Sequence, residues 1–284
     1  MRMSDDVFEE VARLRREGKK AALATIVEIR GSVPSYQTAK MLVREDGSTL
    51  GSVGGGCVEA EVWAAAQDAI REERSRLLSF DLTDDASVAD TGLICGGKLD
   101  IYVEPVLPVP RVVIFGAGHI STHVSRVATI AGFRSWVVDD RPIYANDTRF
   151  PEAERIYSDS FEEAFREIRP DPNTYLVIVT RGHNEDENVL RWAVGTDARY
   201  VGMIGSKRKV RTLFRKLEGE GIGRERLERV HAPIGLDIGA VVPEEIAVAI
   251  VAEMIHYRRR SREHDLSKKI SQTSRLPSPE KRHT

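Results

Sequence analysis

The sequence predicts an α/β protein of two domains: an N-terminal α+β domain and a C-terminal Rossmann-like domain with a doubly wound parallel sheet. Three observations carry this expectation. Beyond residue 110, short apolar runs alternate with stretches at helical spacing, the pattern of βαβ units. The first of those runs leads into Gly116-Ala117-Gly118, the opening of a dinucleotide fingerprint. Ahead of it, residues 105–110 hold three prolines in six, which suits extended backbone between domains. The expected division is therefore 1–106 and 107–261, with a disordered tail at 262–284 rich in Ser, Lys, Arg and Pro.

The N-terminal elements follow from local chemistry. Residues 5–17 read as an amphipathic helix with Val7, Phe8, Val11, Ala12 and Leu14 on one side, and Gly18 stands where a C-terminal cap belongs. Residues 21–29 form a β-rich run, and the Gly and Pro of 30–35 mark a loop. Runs at 40–44 and 48–53 flank Glu45-Asp46-Gly47, and Asp-Gly is a strong hairpin signal. A helix over about 58–73, a strand near 75–82, an acidic loop at 83–90 and a strand over 98–104 complete the domain.

Gly54-Gly55-Gly56-Cys57 links the hairpin to the helix. Consecutive glycines let the backbone take positive φ and approach a ligand closely. A helix N-terminus directly after them aims N–H donors and a positive dipole end at one point, which favours an anion. Cys57 would lie in that field, where thiolate character rises. The plainer reading is a tight strand-to-helix turn beside a small buried cysteine. Cys95-Gly96-Gly97 repeats the pairing of cysteine with glycine, and no other cysteine occurs in the chain. Cys57 and Cys95 are thus the candidate thiols.

In the second domain, 111–115 is an apolar run suited to a strand buried on both faces. A helix opens at the glycines and ends at Gly132, and strands follow at 135–139, 175–180 and 200–204. Residues 243–260 read as a last amphipathic helix with Pro243 early and Glu244-Glu245 in its first turn. Gly116 and Gly118 fit the fingerprint, Ser121 stands for its third glycine, and Asp139 is placed to accept from a ribose hydroxyl and repel a 2′-phosphate. His119 and His123 have the i, i+4 spacing that can clasp a metal, with no acid or cysteine in register. Thr180-Arg181-Gly182-His183-Asn184-Glu185-Asp186 and Gly205-Ser206-Lys207-Arg208-Lys209 each follow a strand, where open sheets place ligand groups; Ser206 can cap the next helix, and Lys207 and Arg208 offer charge to a phosphate.

Composition narrows the classes. A net charge of −2 and a pI near 6.4 give no sign of a nucleic-acid or membrane-surface binder. No run approaches the roughly 18 apolar residues of a membrane span, and the N-terminal residues lack the apolar core of a signal peptide. A cytoplasmic setting is expected, where two cysteines serve chemistry or packing rather than a structural disulfide.

Taken in order, the segments 39–62 (AKMLVREDGSTLGSVGGGCVEAEV), 92–105 (GLICGGKLDIYVEP), 112–121 (VVIFGAGHIS), 137–142 (VVDDRP), 180–186 (TRGHNED) and 201–253 resemble the XdhC/CoxI family of accessory proteins for xanthine dehydrogenase and related molybdenum hydroxylases. The resemblance spans residues 8–260. It implies a cargo, the molybdenum cofactor (a molybdopterin), bound, sulfurated with help from a cysteine desulfurase, and inserted into an apo-hydroxylase. It places that cofactor at Gly54, Gly55, Gly56 and Cys57 with Cys95, Gly96 and Gly97; Cys57 is taken as the primary molybdenum contact with Cys95 as its partner, with sulfur relay and simple lining of the pocket as the open alternatives. NAD or another nucleotide would occupy Gly116, Gly118, His119 and Asp139, with Ser206 and Lys207 nearby. The family also suggests a homodimer. The chain departs from the family pattern at Ser35, where an arginine is usual, and at Thr38, where a glycine is usual.

Two other classes compete. One is an NAD-dependent oxidoreductase recruiting His183 or His119 as acid/base, which leaves both cysteines unexplained. The other is a docking protein whose Rossmann half is only a scaffold. The accessory, non-catalytic reading ranks first.

Overall fold

A computed structural model describes residues 6–33, 35–82 and 97–263. Cys95, Gly96, the acidic loop at 83–90 and the tail from 264 lie outside the described residues. The chain divides into two compact units, 1–109 and 110–284.

The N-terminal unit opens with α1 (Val7–Glu17), capped by the Asp6 carboxylate on Phe8 N at 2.7 Å and closed by Gly18 at φ 78°. Five strands follow: β1 (Ala21–Gly31), β2 (Lys40–Arg44), β3 (Thr49–Gly51), β4 (Arg76–Asp81) and β5 (Gly97–Val106), with α2 (Gly56–Glu72) between β3 and β4. They form an antiparallel sheet in the order β3-β2-β1-β5-β4. Strand alternation divides β1 between two cores. Ala22, Ala24 and Ile26 pack under Val58, Val62, Ala66 and Ile70 of α2, whereas Ala21 and Leu23 pack with Leu14 of α1.

The expected strand near 98–104 runs further, through Pro105 to Val106. Pro105 stands opposite Ala22 of β1, and β4 stops pairing with β5 at Val103, so proline falls where β5 has become an edge of the sheet. By this topology β1, β3 and β4 end, and β2 and β5 begin, at one end of the sheet. Residues 32–33 and 35–39, the glycine turn and Gly97 therefore gather at that end.

Thr38, in that group, has φ 73°, a left-handed conformation that a β-branched residue adopts only under strain. It stands at the position where a glycine was expected. Thr38→Gly should stabilise the protein by about 0.5–1 kcal/mol once glycine's larger chain entropy is discounted. A raised urea midpoint at unchanged slope checks this; an unchanged or lowered midpoint contradicts it.

The second unit holds β6 (Arg111–Phe115), α3 (His119–Ile130), β7 (Arg134–Val138), β8 (Arg155–Tyr157), α4 (Phe161–Glu167), β9 (Thr174–Ile178), α5 (His183–Ala193), β10 (Tyr200–Met203), α6 (Lys207–Gly219), α7 (Arg224–Glu228), β11 (Val230–His231) and α8 (Pro243–Glu263). All six strands are parallel, in the order β11-β10-β9-β6-β7-β8. Counted within the unit this is 3-2-1-4-5-6 in the dinucleotide-fold convention. Helices cover both faces. Val113, Phe115, Leu176 and Ile178 pack with α4, α5 and α6, and their neighbours Val112, Ile114, Tyr175 and Val177 pack with α3 and α8. The doubly wound Rossmann-like sheet read from the sequence is the one observed. The final helix reaches Glu263, three residues past its expected end.

Candidate functional site

The glycine turn is built by three consecutive positive φ angles: 127° at Gly54, 83° at Gly55 and 63° at Gly56. No other residue type enters such a run without strain. The turn delivers the chain into α2, of which Gly56 and Cys57 are the first residues, so the helix begins two residues earlier than its apolar spacing suggested. Cys57 is exposed there rather than buried. A Cβ added to Gly55 would meet no atom within 4 Å, so the outer side of the turn is open to a ligand.

The inner side of the turn is filled by a residue that the sequence reading missed. Glu59 sits four positions after Gly55, and a helical side chain leans back toward its own N-terminus. Its Oε1 accepts from Ser52 Oγ at 2.5 Å, Val53 N at 3.1 Å and Gly55 N at 3.0 Å. Burial pushes the Glu59 carboxyl up, but these donors together with Gly54 N outweigh it and hold it below the ordinary glutamate range. A glutamate reaching back over a helix start is a recognisable capping pattern; its reach across a preceding glycine turn is not.

Gly97, the described residue of the second cysteine motif, is a packing glycine. A Cβ there would lie 2.8 Å from Arg30 O and 2.8 Å from a Val33 methyl. It keeps β5 close to the loop that leaves β1.

In the second unit, Gly116, Gly118, His119 and Asp139 come together where β6 gives way to α3. Gly116 has φ 107°, and a Cβ on it would approach Val179 O to 2.4 Å. Gly118 is the N-cap of α3, and a Cβ there would meet nothing within 4 Å, which leaves the backbone approachable. His119 is exposed, and His123 faces Glu244 at 3.4 Å. Among the described residues no three His, Cys, Asp or Glu side chains assemble a metal site. Ser121 is fully buried, and its hydroxyl has no partner among the described residues.

Asp139 is buried and both its oxygens are engaged within the chain. Oδ2 accepts from Ala117 N at 2.7 Å and Arg141 Nη2 at 2.9 Å; Oδ1 accepts from Arg141 N at 3.1 Å and Nε at 2.8 Å. Burial raises its pKa, but the Arg141 guanidinium and the Ala117 N–H outweigh that and hold it below the ordinary aspartate range. The acceptor read as a ribose partner thus ties the glycine loop to Arg141, whose guanidinium lies 4.2 Å from the Tyr144 ring centroid. Arg181, after β9, reaches Asp140, after β7, at 3.0 Å, and so bridges the strands on either side of β6.

Ser206 caps α6 through Lys209 N at 3.2 Å, and Lys207 is exposed beside it. Lys209 pairs with the fully buried Asp186, which also accepts from Thr180 Oγ1 at 2.6 Å. That trio joins the end of β9 to α5 and α6; the sequence marked 180–186 and 205–209 as separate ligand segments, and only the pairing between them was not foreseen.

Against known proteins, a model described as the XdhC Rossmann domain matches residues 112–254, and one described as the XdhC and CoxI family matches residues 14–81. The chain belongs to the XdhC/CoxI family. Among relatives of this XdhC-family chain, the uncharacterized protein YqeB of Escherichia coli (strain K12) is 32% identical over 257 residues, covering 90% of this chain and 47% of its own length. The chain thus spans about half of that relative. A probable xanthine dehydrogenase subunit of Bacillus subtilis (strain 168) is 23% identical, with 87% and 96% covered. The molybdenum cofactor insertion chaperone PaoD of Escherichia coli (strain K12) is 26% identical, with 87% and 86% covered. A crystal structure of a xanthine dehydrogenase from Bacillus halodurans superposes with a TM-score of 0.51 at 24% identity, over 93% of this chain and 98% of that one. This supports the fold of the XdhC-family chain. No helix among the described residues is long and apolar enough to cross a membrane.

Proposed function

We propose that this XdhC-family chain is an accessory factor for a molybdenum hydroxylase of the xanthine dehydrogenase type, and that it carries the molybdenum cofactor as cargo at the glycine turn. The observation that carries the reading is the turn itself: three positive-φ glycines set an exposed Cys57 on the first turn of a 17-residue helix. The donor chemistry fits the cargo. A thiolate is a soft ligand suited to molybdenum or to a sulfur being handed on, and the open side over Gly55 lets a bulky pterin approach the backbone. Family membership and the likeness to PaoD support the role. Within this proposal the cofactor is sulfurated with a cysteine desulfurase before insertion, Cys95 partners Cys57, and the chain works in the cytoplasm as a homodimer.

The nucleotide reading of the second unit has less support, because Asp139 is already bound to Arg141 and Ala117. We assign that unit a supporting role and no hydride transfer.

The test is activation of an apo-hydroxylase by cofactor in the presence of the full chain. Cys57→Ala is expected to lower activation by at least about tenfold, the loss of one modest ligand contact. Activation equal to wild type would remove Cys57 from the site, and NADH-dependent turnover of a metabolite would replace the proposal with the oxidoreductase reading.

A further inference from the structure

A glycine-rich turn before a helix is ordinarily an anion seat, because successive N–H groups converge on the point where the helix dipole is positive. In this chain the seat has an occupant of its own. One oxygen of Glu59 gathers the Ser52 hydroxyl and the N–H groups of Val53 and Gly55, while Gly54 N donates to Ser52 Oγ at 3.2 Å. The N–H groups it takes belong to the turn, not to the first residues of α2, and they are the donors a bound phosphate would need. Its negative charge, held ionised by those donors, also opposes a second anion placed at the same helix end.

We propose that Glu59 is a specificity-determining residue of the cargo site: its carboxylate takes the anion seat of the glycine turn, fixes the turn that presents Cys57, and excludes phosphate from it. The inference rests on the reading of Cys57 as the cargo contact for its consequence, which is a direction of binding. A ligand with a hard phosphate at one end and a soft metal–sulfur group at the other is sorted at this turn, the soft end meeting Cys57 and the phosphate lodging elsewhere. The anion affinity expected from the glycines is thereby replaced by a geometric function. Consecutive positive-φ residues are costly in chain entropy, and several charge-assisted hydrogen bonds to one carboxylate hold them in place.

The test uses inorganic phosphate and the thiol, without the cofactor, so that its failure is distinct from failure of the chaperone reading. The full chain is alkylated with iodoacetamide, modification of the Cys57 peptide is followed by mass spectrometry, and phosphate binding is measured by calorimetry. Wild type is expected to show Cys57 alkylation independent of phosphate. Glu59→Ala, which vacates the seat, should bind phosphate at least about tenfold more tightly than wild type and show phosphate-dependent protection of Cys57. Glu59→Gln leaves a neutral amide oxygen that holds the turn donors more weakly and no longer repels an anion; it should retain the wild-type melting behaviour more closely and, because phosphate can displace the amide, gain phosphate binding by less than the alanine variant. It carries the test if the alanine variant does not fold. Phosphate protecting Cys57 in wild type, or a folded variant that gains neither binding nor protection, overturns the proposal.

Discussion

Gly116→Ala is expected to destabilise the Rossmann-like unit by about 3 kcal/mol or more, the combined effect of a forbidden backbone angle and a backbone collision. Both effects are local to this position. The residue has φ 107°, and its Cβ would stand 2.4 Å from Val179 O. Val179 cannot yield easily, because its own N–H donates to Phe115 O at 2.9 Å and it follows the central strand β9. A flexible side chain could move aside, whereas this carbonyl is held in the sheet. For a protein of this size the loss corresponds to a fall in melting temperature of roughly 10 °C. Gly118→Ala is the control. Its Cβ would meet no atom within 4 Å, and its φ of −74° suits any residue, so its melting temperature should stay within about 2 °C of wild type. Equal melting temperatures for the two variants would contradict the packing described.

Asp139→Ala is expected to cost about 2–4 kcal/mol, since it leaves Ala117 N and a half-buried guanidinium without their acceptor. The cost should shrink in the double variant with Arg141→Ala, because the stranded charge is then gone, and a double-mutant cycle in urea measures the coupling. The same carboxylate makes a signed prediction about acid. Its folded pKa lies below its unfolded value, so its contribution to stability is present above the ordinary aspartate range and is lost as pH falls through the folded pKa. Between about pH 5 and pH 2 wild type should therefore lose more stability than Asp139→Asn. Parallel curves for the two would show that the carboxylate is not bound as described.

Much of the fold was readable because its causes are local. The hairpin at Asp46-Gly47 forms as expected, with Gly47 at φ 84° and the Asp46 carboxylate accepting from Ser48 N at 2.9 Å. The strand-to-helix alternation of the second unit was legible because parallel strands buried on both faces are apolar throughout, as in the five buried residues of β9. The site was legible only in part. Gly54, Gly55 and Gly56 announced the turn, but Glu59 reads in the sequence as one more surface glutamate on a helix. Its role depends on three successive φ angles that no spacing rule contains. Asp139 was recognised by position, while its pairing with Arg141, two residues on, depends on a turn after β7 that side-chain patterns do not specify. Asp186 lay in the 180–186 segment expected to offer ligand groups, and only the approach of Lys209 from α6 makes it a buried ion pair. The partners of buried polar groups, near or distant along the chain, were the part that sequence withheld.

The most direct test of the account is the molybdenum and pterin content of the purified full chain after incubation with molybdenum cofactor and removal of excess, wild type against Cys57→Ala. The account predicts near-stoichiometric molybdenum with wild type and a marked fall in the variant, with both proteins folded. Equal molybdenum in the two, or none with either, would contradict the assignment of the glycine turn as the cargo site.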